Sequence, residues 1–215
     1  MISYITKGNR KMIGIVAVTI LLLACVILGS WAQKTQKEIA SGVLRLHVLA
    51  NCDCAVDQHL KISVRNKILE ECGYLFRDVS NAKKAIERAE NACEKIKKVA
   101  ERELRKHGFL YPVPVRIEDT RFPTKNYGGI RLPAGRYKAL NVRIGSATGQ
   151  NWWCVLYPPL CLMEGSVKTD EKTLDLLRKE LSAEEYALVT QTENLHIRTK
   201  FYFLETIGKY FSGRS

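Results

Sequence analysis

The stretch 42-GVLRLHVLAN-51 alternates, with Leu44, Leu46 and Val48 on one face and Arg45, His47 and Leu49 on the other. A period of two containing a β-branched residue predicts a strand. A helix is expected directly after it. Asp53 is placed as its N-cap. Leu60, Val64, Ile68 and Cys72 recur at helical spacing, and Gly73 closes a helix over 55–73. A strand that runs straight into a helix is the corner from which the rest of the chain is read.

Downstream, a second helix opens after Ser80, a good cap residue. Ala82, Ile86, Ala89, Cys93, Ile96 and Ala100 form one apolar stripe along it, and His107-Gly108 ends it. The charges around the stripe read as a solvated face. The segment 113-VPVRIED-119 alternates and predicts a strand. Turn chemistry follows at Gly128-Gly129 and Pro133-Ala134-Gly135. Tyr137, Leu140, Val142 and Ile144 predict a further strand, with a bulge between Tyr137 and Leu140. Gly145 to Gly149 is read as a flexible turn leading into 151-NWWCVLYPPLC-161. After Cys161 a polar loop leads to a helix near 170–180. Ser182 with Glu185 matches a capping box and starts a short helix. The stretch 195-LHIRTKFYF-203 alternates again and predicts a last strand before a short terminal helix. This order predicts an α+β fold, a mixed β-sheet with flanking helices.

Met12 to Trp31 is twenty residues without a charge, long enough to cross a hydrocarbon core as a helix. Lys7, Arg10 and Lys11 precede it, and positive flanks stay cytoplasmic. The bulk of the chain is therefore expected outside the cytoplasm. Ser30-Trp31-Ala32 offers small residues for cleavage before Gln33, while the length of the apolar run suits a retained anchor, and both outcomes stand. The expected organisation is residues 1–32 as a cytoplasmic stub plus signal peptide or membrane anchor, 33–41 as a polar linker, and 42–211 as one exported α+β domain. The net charge is +12, and from Gln33 onward 31 Lys/Arg stand against 22 Asp/Glu. That diffuse basicity reads first as a solvated face, with attraction to an anionic wall or membrane surface as the alternative. No basic run interleaved with aromatics points to nucleic acid.

Six cysteines lie in the exported part: Cys52, Cys54, Cys72, Cys93, Cys154 and Cys161. They allow fifteen full pairings, and thiols pair outside the cytoplasm. Pro158-Pro159 lets the chain reverse, so a Cys154–Cys161 bond would brace an aromatic loop. Extended, Trp152 and Trp153 point to opposite sides, one into the core and one outward as a contact. His47, Cys52, Cys54 and His59 are close in sequence, but Cys-x-Cys is shorter than common zinc spacing and His47 sits mid-strand. No metal or cofactor is assigned. Cys154 as a nucleophile would need His47, His107 or His196 as base and Asn151 to orient it, without any local hydrolase signature. Glu118-Asp119 and Asp53/Asp57 show no spacing that pairs two carboxylates, and no phosphate loop is present. No catalytic residue is assigned.

The strings 45-RLHVLANCDCAVDQHLKISVR-65, 122-FPTKNYGGIRLPAGRYKALNVRIG-145 and 149-GQNWWCVLYPPLC-161 resemble the stage II sporulation protein R family over 43–163. The chain departs from that pattern in having Cys52 and Cys54 where serines are usual, Asn66 where aspartate is common, and Ala147 in place of a loop glycine. The resemblance implies a signalling protein rather than an enzyme. It implies export from the forespore and activation of a membrane-embedded aspartic protease of the mother cell, which matures the precursor of the early mother-cell sigma factor. On this reading Lys125, Tyr127 and Arg131 supply polar contacts, one of Trp152 and Trp153 the apolar anchor, and Arg45, Asn51 and Asp57 brace the strand-to-helix corner. The rival reading is a wall-directed hydrolase or a wall-binding protein.

Overall fold

Strand β1 (Leu44–Leu49) lies inside a four-stranded mixed sheet, flanked by β5 (Gly135–Arg143) and β6 (Asn151–Tyr157). It runs parallel to β5 and antiparallel to β6, and β2 (Val115–Phe122) adds antiparallel to the far side of β5. Strands β3 (Lys125–Tyr127) and β4 (Ile130–Leu132) form a separate hairpin. The computed structural model describes residues 2–161, 170–191 and 195–212, with side chains described over 12–161, 170–191 and 197–207. A parallel pair needs a long crossover, and here it contains α2 (Ala55–Cys72) and α3 (Ala82–Lys106). Three further helices follow the sheet: α4 (Glu171–Glu180), α5 (Ala183–Thr190) and α6 (Leu195–Ser212). The chain is thus α+β with a mixed sheet, as the order of sequence patterns predicts.

The apolar spacings do what they predict. Leu60, Val64, Ile68 and Cys72 of α2 are buried, each of the aliphatic ones contributing about 1.5–3 kcal/mol of transfer free energy. Along α3 the buried stripe is rotated slightly: Ala85, Ala92 and Val99 are buried, while Ile86 and Cys93 are half-buried at its edge. Its N-cap is Asn81 rather than Ser80; the Asn81 side chain accepts from the Lys84 amide. His107 caps its end, and Gly108 turns at φ +83°. The Ser182–Glu185 capping box is formed in both directions. Asp53 does not cap α2. The N-cap is Cys54, without a side-chain bond, and Asp53 Oδ1 instead accepts from the Gln150 amide at 2.6 Å.

Besides the Ser80 cap, four expectations are corrected. Residues 33–41 are no linker: they continue α1 (Ile2–Ser41), the same helix that carries the apolar run. Ala32, Thr35 and Ile39 recur at i, i+3 and i+7 and are buried against the domain, a helical stripe that the surrounding polar residues hide. Gln36 Nε2 donates to the Arg136 carbonyl, and a Cβ at Gly135 would come within 2.3 Å of it. The second correction is 195–203, which belongs to α6. Phe201 and Leu204 are buried there, at i+4 and i+7 from half-buried Ile197. The apparent alternation is a helical stripe sampled over too short a window, and the expected terminal helix is part of the same element. Third, β5 has no bulge. Its register with β2 is continuous from Gly135 to Val142. Both faces of β5 are covered, so Tyr137, Ala139 and Asn141 share one face while Leu140 and Val142 share the other. The fourth is Asp53, as above. The polar loop expected after Cys161 lies at 162–169, outside the described residues, as do the side chains of Lys7, Arg10, Lys11 and His196.

The turn from β5 to β6 carries one strained residue. Ala147 sits at φ +54°, a left-handed conformation that costs a residue with a Cβ but not glycine. This is the position where the resemblance places a glycine. Ala147→Gly is expected to raise the unfolding free energy by about 1 kcal/mol, read from denaturant melts; a loss of stability would contradict the strain.

Candidate functional site

The Arg45–His47 face of β1 is the polar face of the sheet, and the residues of interest gather on it. Arg45 is fully buried. Its guanidinium carbon lies 3.9 Å from the Phe122 ring centroid, 4.9 Å from Tyr137 and 5.7 Å from Tyr127. Arg45 Nη2 donates to the Tyr127 hydroxyl, which in turn reaches the Trp153 carbonyl at 3.3 Å. Nε and Nη1 of Arg45 have no polar partner among the described residues. Burial pushes the Arg45 pKa down, but an arginine stays charged. The cation is held by aromatic faces, and the same burial pushes the Tyr137 hydroxyl up to about 12.

Two residues along the strand, His47 is 8% exposed and pinned from both sides. Its Nδ1 lies 2.7 Å from Asn141 Oδ1, and its Nε2 lies 2.7 Å from Asn151 Oδ1. Burial pushes the His47 pKa down; the two asparagine bonds oppose that shift, and Arg143 and Arg45 reinforce it. The ring is therefore neutral, and a neutral imidazole donates from one nitrogen only. Asn141 Nδ2 donates to Thr120 Oγ1 at 2.7 Å, so Asn141 Oδ1 accepts from Nδ1–H. Nε2 then carries no proton and faces Asn151 Oδ1, so it pairs with Asn151 only when that amide turns to present Nδ2.

The two tryptophans take opposite faces, as extension requires. Trp152 lies toward the helices, with Arg65 of α2 3.9 Å over its ring. Trp153 lies on the polar face, stacked on His47 at 6.2 Å, with Lys125 Nζ 5.3 Å above it. Both rings are half-buried, so neither is a pure core residue.

Of the expected contact residues, Lys125 and Trp153 come together at the surface. Tyr127 does not join them there. It is 1% exposed and belongs to the Arg45 box, because its ring is the lid on a buried charge. Arg131 is spent on structure: it lies 3.1 Å from Glu205 and 4.6 Å from the Phe201 centroid, joining β4 to α6. Asn51 and Asp57 do brace the corner. Asn51 Nδ2 donates to Asp57 Oδ2 at 2.7 Å, and Asn51 Oδ1 accepts from the Ser146 amide at 2.9 Å. Arg45 is not part of that corner; it lies six residues up the strand, in its aromatic box. Phe122, Tyr137 and Asn141 were missed, and the signal that could have found them is a charged residue inside an otherwise apolar strand, which demands partners.

Cys154 is bonded to Cys161, with their Cα atoms 4.9 Å apart. The Tyr157–Pro158 peptide between them is cis. Cys154 is 1% exposed. The thiol nucleophile that a hydrolase would need is consumed. Glu118 and Asp119 point to opposite faces and pair with Arg143 at 2.8 Å and Lys138 at 3.0 Å. His107 is engaged with Glu103 at 3.4 Å and Ser63 at 3.2 Å, where it joins α3 to α2.

An α+β domain with a mixed sheet, joined to one apolar helix and carrying a disulfide-braced tryptophan strand, defines the class. The model of the stage II sporulation protein R family matches residues 40–167. The stage II sporulation protein R of Bacillus subtilis (strain 168) is 31% identical over 199 residues, covering 84% of this chain and 88% of that protein. No solved structure matches. The chain belongs to the stage II sporulation protein R family and is a sporulation signalling protein.

Replacing Cys154 and Cys161 together by serine reopens an eight-residue loop and is expected to cost about 2.5 kcal/mol. Either single serine should cost as much, read by thermal unfolding. For His47 the sign runs as follows: its folded pKa lies below the ordinary 6.5, so the unfolded chain takes up protons first. The stability it contributes is complete above 6.5 and is lost as pH falls through the folded value. His47→Gln should therefore show a shallower loss of melting temperature than the unsubstituted chain between about pH 7.5 and 5.5; equal slopes would rule the assignment out.

Proposed function

We propose that this chain is exported from the forespore and that its domain binds the extracytoplasmic face of a membrane-embedded aspartic protease of the mother cell. Binding activates the protease, which then matures the precursor of the early mother-cell sigma factor. Family membership supports the signalling part of this reading. The observation that carries the contact is the pairing of Lys125 with Trp153, a half-buried aromatic with a cation above it on the solvent-facing side of a rigid sheet. Aromatic residues held at a surface by a fixed scaffold are common anchors of interfaces, and a neighbouring cation steers an acidic partner. The continuity of α1 into the domain core supports presentation at a membrane, where an embedded partner is within reach.

The test is reconstitution of the full chain with the protease and its sigma-factor precursor in membranes. Stimulated cleavage is expected, and Lys125→Glu should reduce it about tenfold, equivalent to 1.4 kcal/mol of contact, without changing the melting temperature. Trp153→Ala should reduce it further. Folded protein that leaves cleavage unstimulated removes the proposal.

A further inference from the structure

The corner that joins β1 to α2 holds two thiols and a carboxylate whose ligand atoms, those of Cys52, Cys54 and Asp57, all lie within 4.8 Å of one another. We propose that these three residues bind a thiophilic divalent cation of the zinc type, with a fourth position left to water or to a group from a partner. In a tetrahedral site with bonds of about 2.3 Å, sulfur atoms stand about 3.8 Å apart. The observed spacing therefore closes on an ion with side-chain movement of about 1 Å.

Three features point to a ligand rather than to a chance cluster. Asp57 is 3% exposed, yet no cationic side chain among the described residues pairs with it. A shielded carboxylate without a counter-charge is costly, and a bound cation supplies that charge. The carboxylate is also oriented. Asn51 donates to its Oδ2 at 2.7 Å and is itself held by the Ser146 amide, and the Cys52 and Cys54 thiols and the Tyr111 hydroxyl also hydrogen-bond to the carboxylate. Such outer partners are what fix the aim of metal-binding carboxylates. The loop itself is held closed: Gln150 N donates to Asp53 Oδ1 at 2.6 Å, and a Cβ on Gly149 would meet the Cys52 carbonyl at 2.3 Å. This set differs from the His47, Cys52, Cys54 and His59 grouping set aside on spacing: His47 is held by two asparagines, and Asp57, a first-turn acid of α2, stands in third place.

The probe is Co(II), added to the reduced full chain in detergent micelles, with free thiols counted beforehand. One equivalent should produce a thiolate-to-cobalt charge-transfer band with intense tetrahedral visible bands, and Zn(II) should bleach both. Cys54→Ser should abolish the charge-transfer band, and Asp57→Asn should weaken binding at least tenfold, each with unchanged circular dichroism. The Cys52→Ser/Cys54→Ser double variant keeps Cys25, Cys72, Cys93, Cys154 and Cys161 and should give no band. A band that survives in that variant overturns the proposal. So does its absence from folded protein with free thiols, or a Cys52–Cys54 disulfide that persists under reductant.

Discussion

The buried charge of Arg45 is the constraint on which the arrangement of the polar face depends. A cation removed from water must be met by something, and here three aromatic rings meet it. They come from separate places in the chain: Phe122 ends β2, Tyr127 ends β3 and Tyr137 sits in β5. Their convergence on one guanidinium folds the β3–β4 hairpin over the sheet. The planar, weakly hydrated head of arginine suits such a box, whereas a lysine ammonium would lose both the stacking and its hydration. The Tyr127 hydroxyl then links this box to the Trp153 backbone. The surface pair Lys125–Trp153 is thus placed by a charge that solvent never touches.

Much of the architecture was legible because it is periodic. Alternation along 44–49, the four-residue steps of α2 and the capping box of α5 each have a single physical cause, and each appears where the pattern puts it. The failures have causes too. In 195–203 a helical stripe mimics alternation, since Ile197 and Phe201 satisfy both periods. In 33–41 only Ala32, Thr35 and Ile39 face the domain, and the polar majority conceals them. Arg45 was read as a corner residue because a sequence pattern shows the direction of a side chain and not what lies above it. The same limit hid the closeness of Asp57 to Cys52 and Cys54, which exists only once the loop closes.

The exposed ion pairs Lys138–Asp119, Arg178–Asp175 and Lys200–Glu184 contribute little each. Rigidity comes instead from the core between sheet and helices, from the Cys154–Cys161 bond and from the His47 clamp. Asn151 of that clamp and Cys154 lie on β6, on either side of Trp153, so the indole is held at its own edge of the sheet by covalent and polar bonds at once.

Helix α1 enters the domain without a joint. If this helix spans a bilayer, as proposed, the domain stands on it as a statue stands on its pillar, at one tilt and one height. A counterpart in an apposed membrane would meet it with most orientations already excluded. The search for the right encounter then reduces to sliding in a plane and spinning about a single axis.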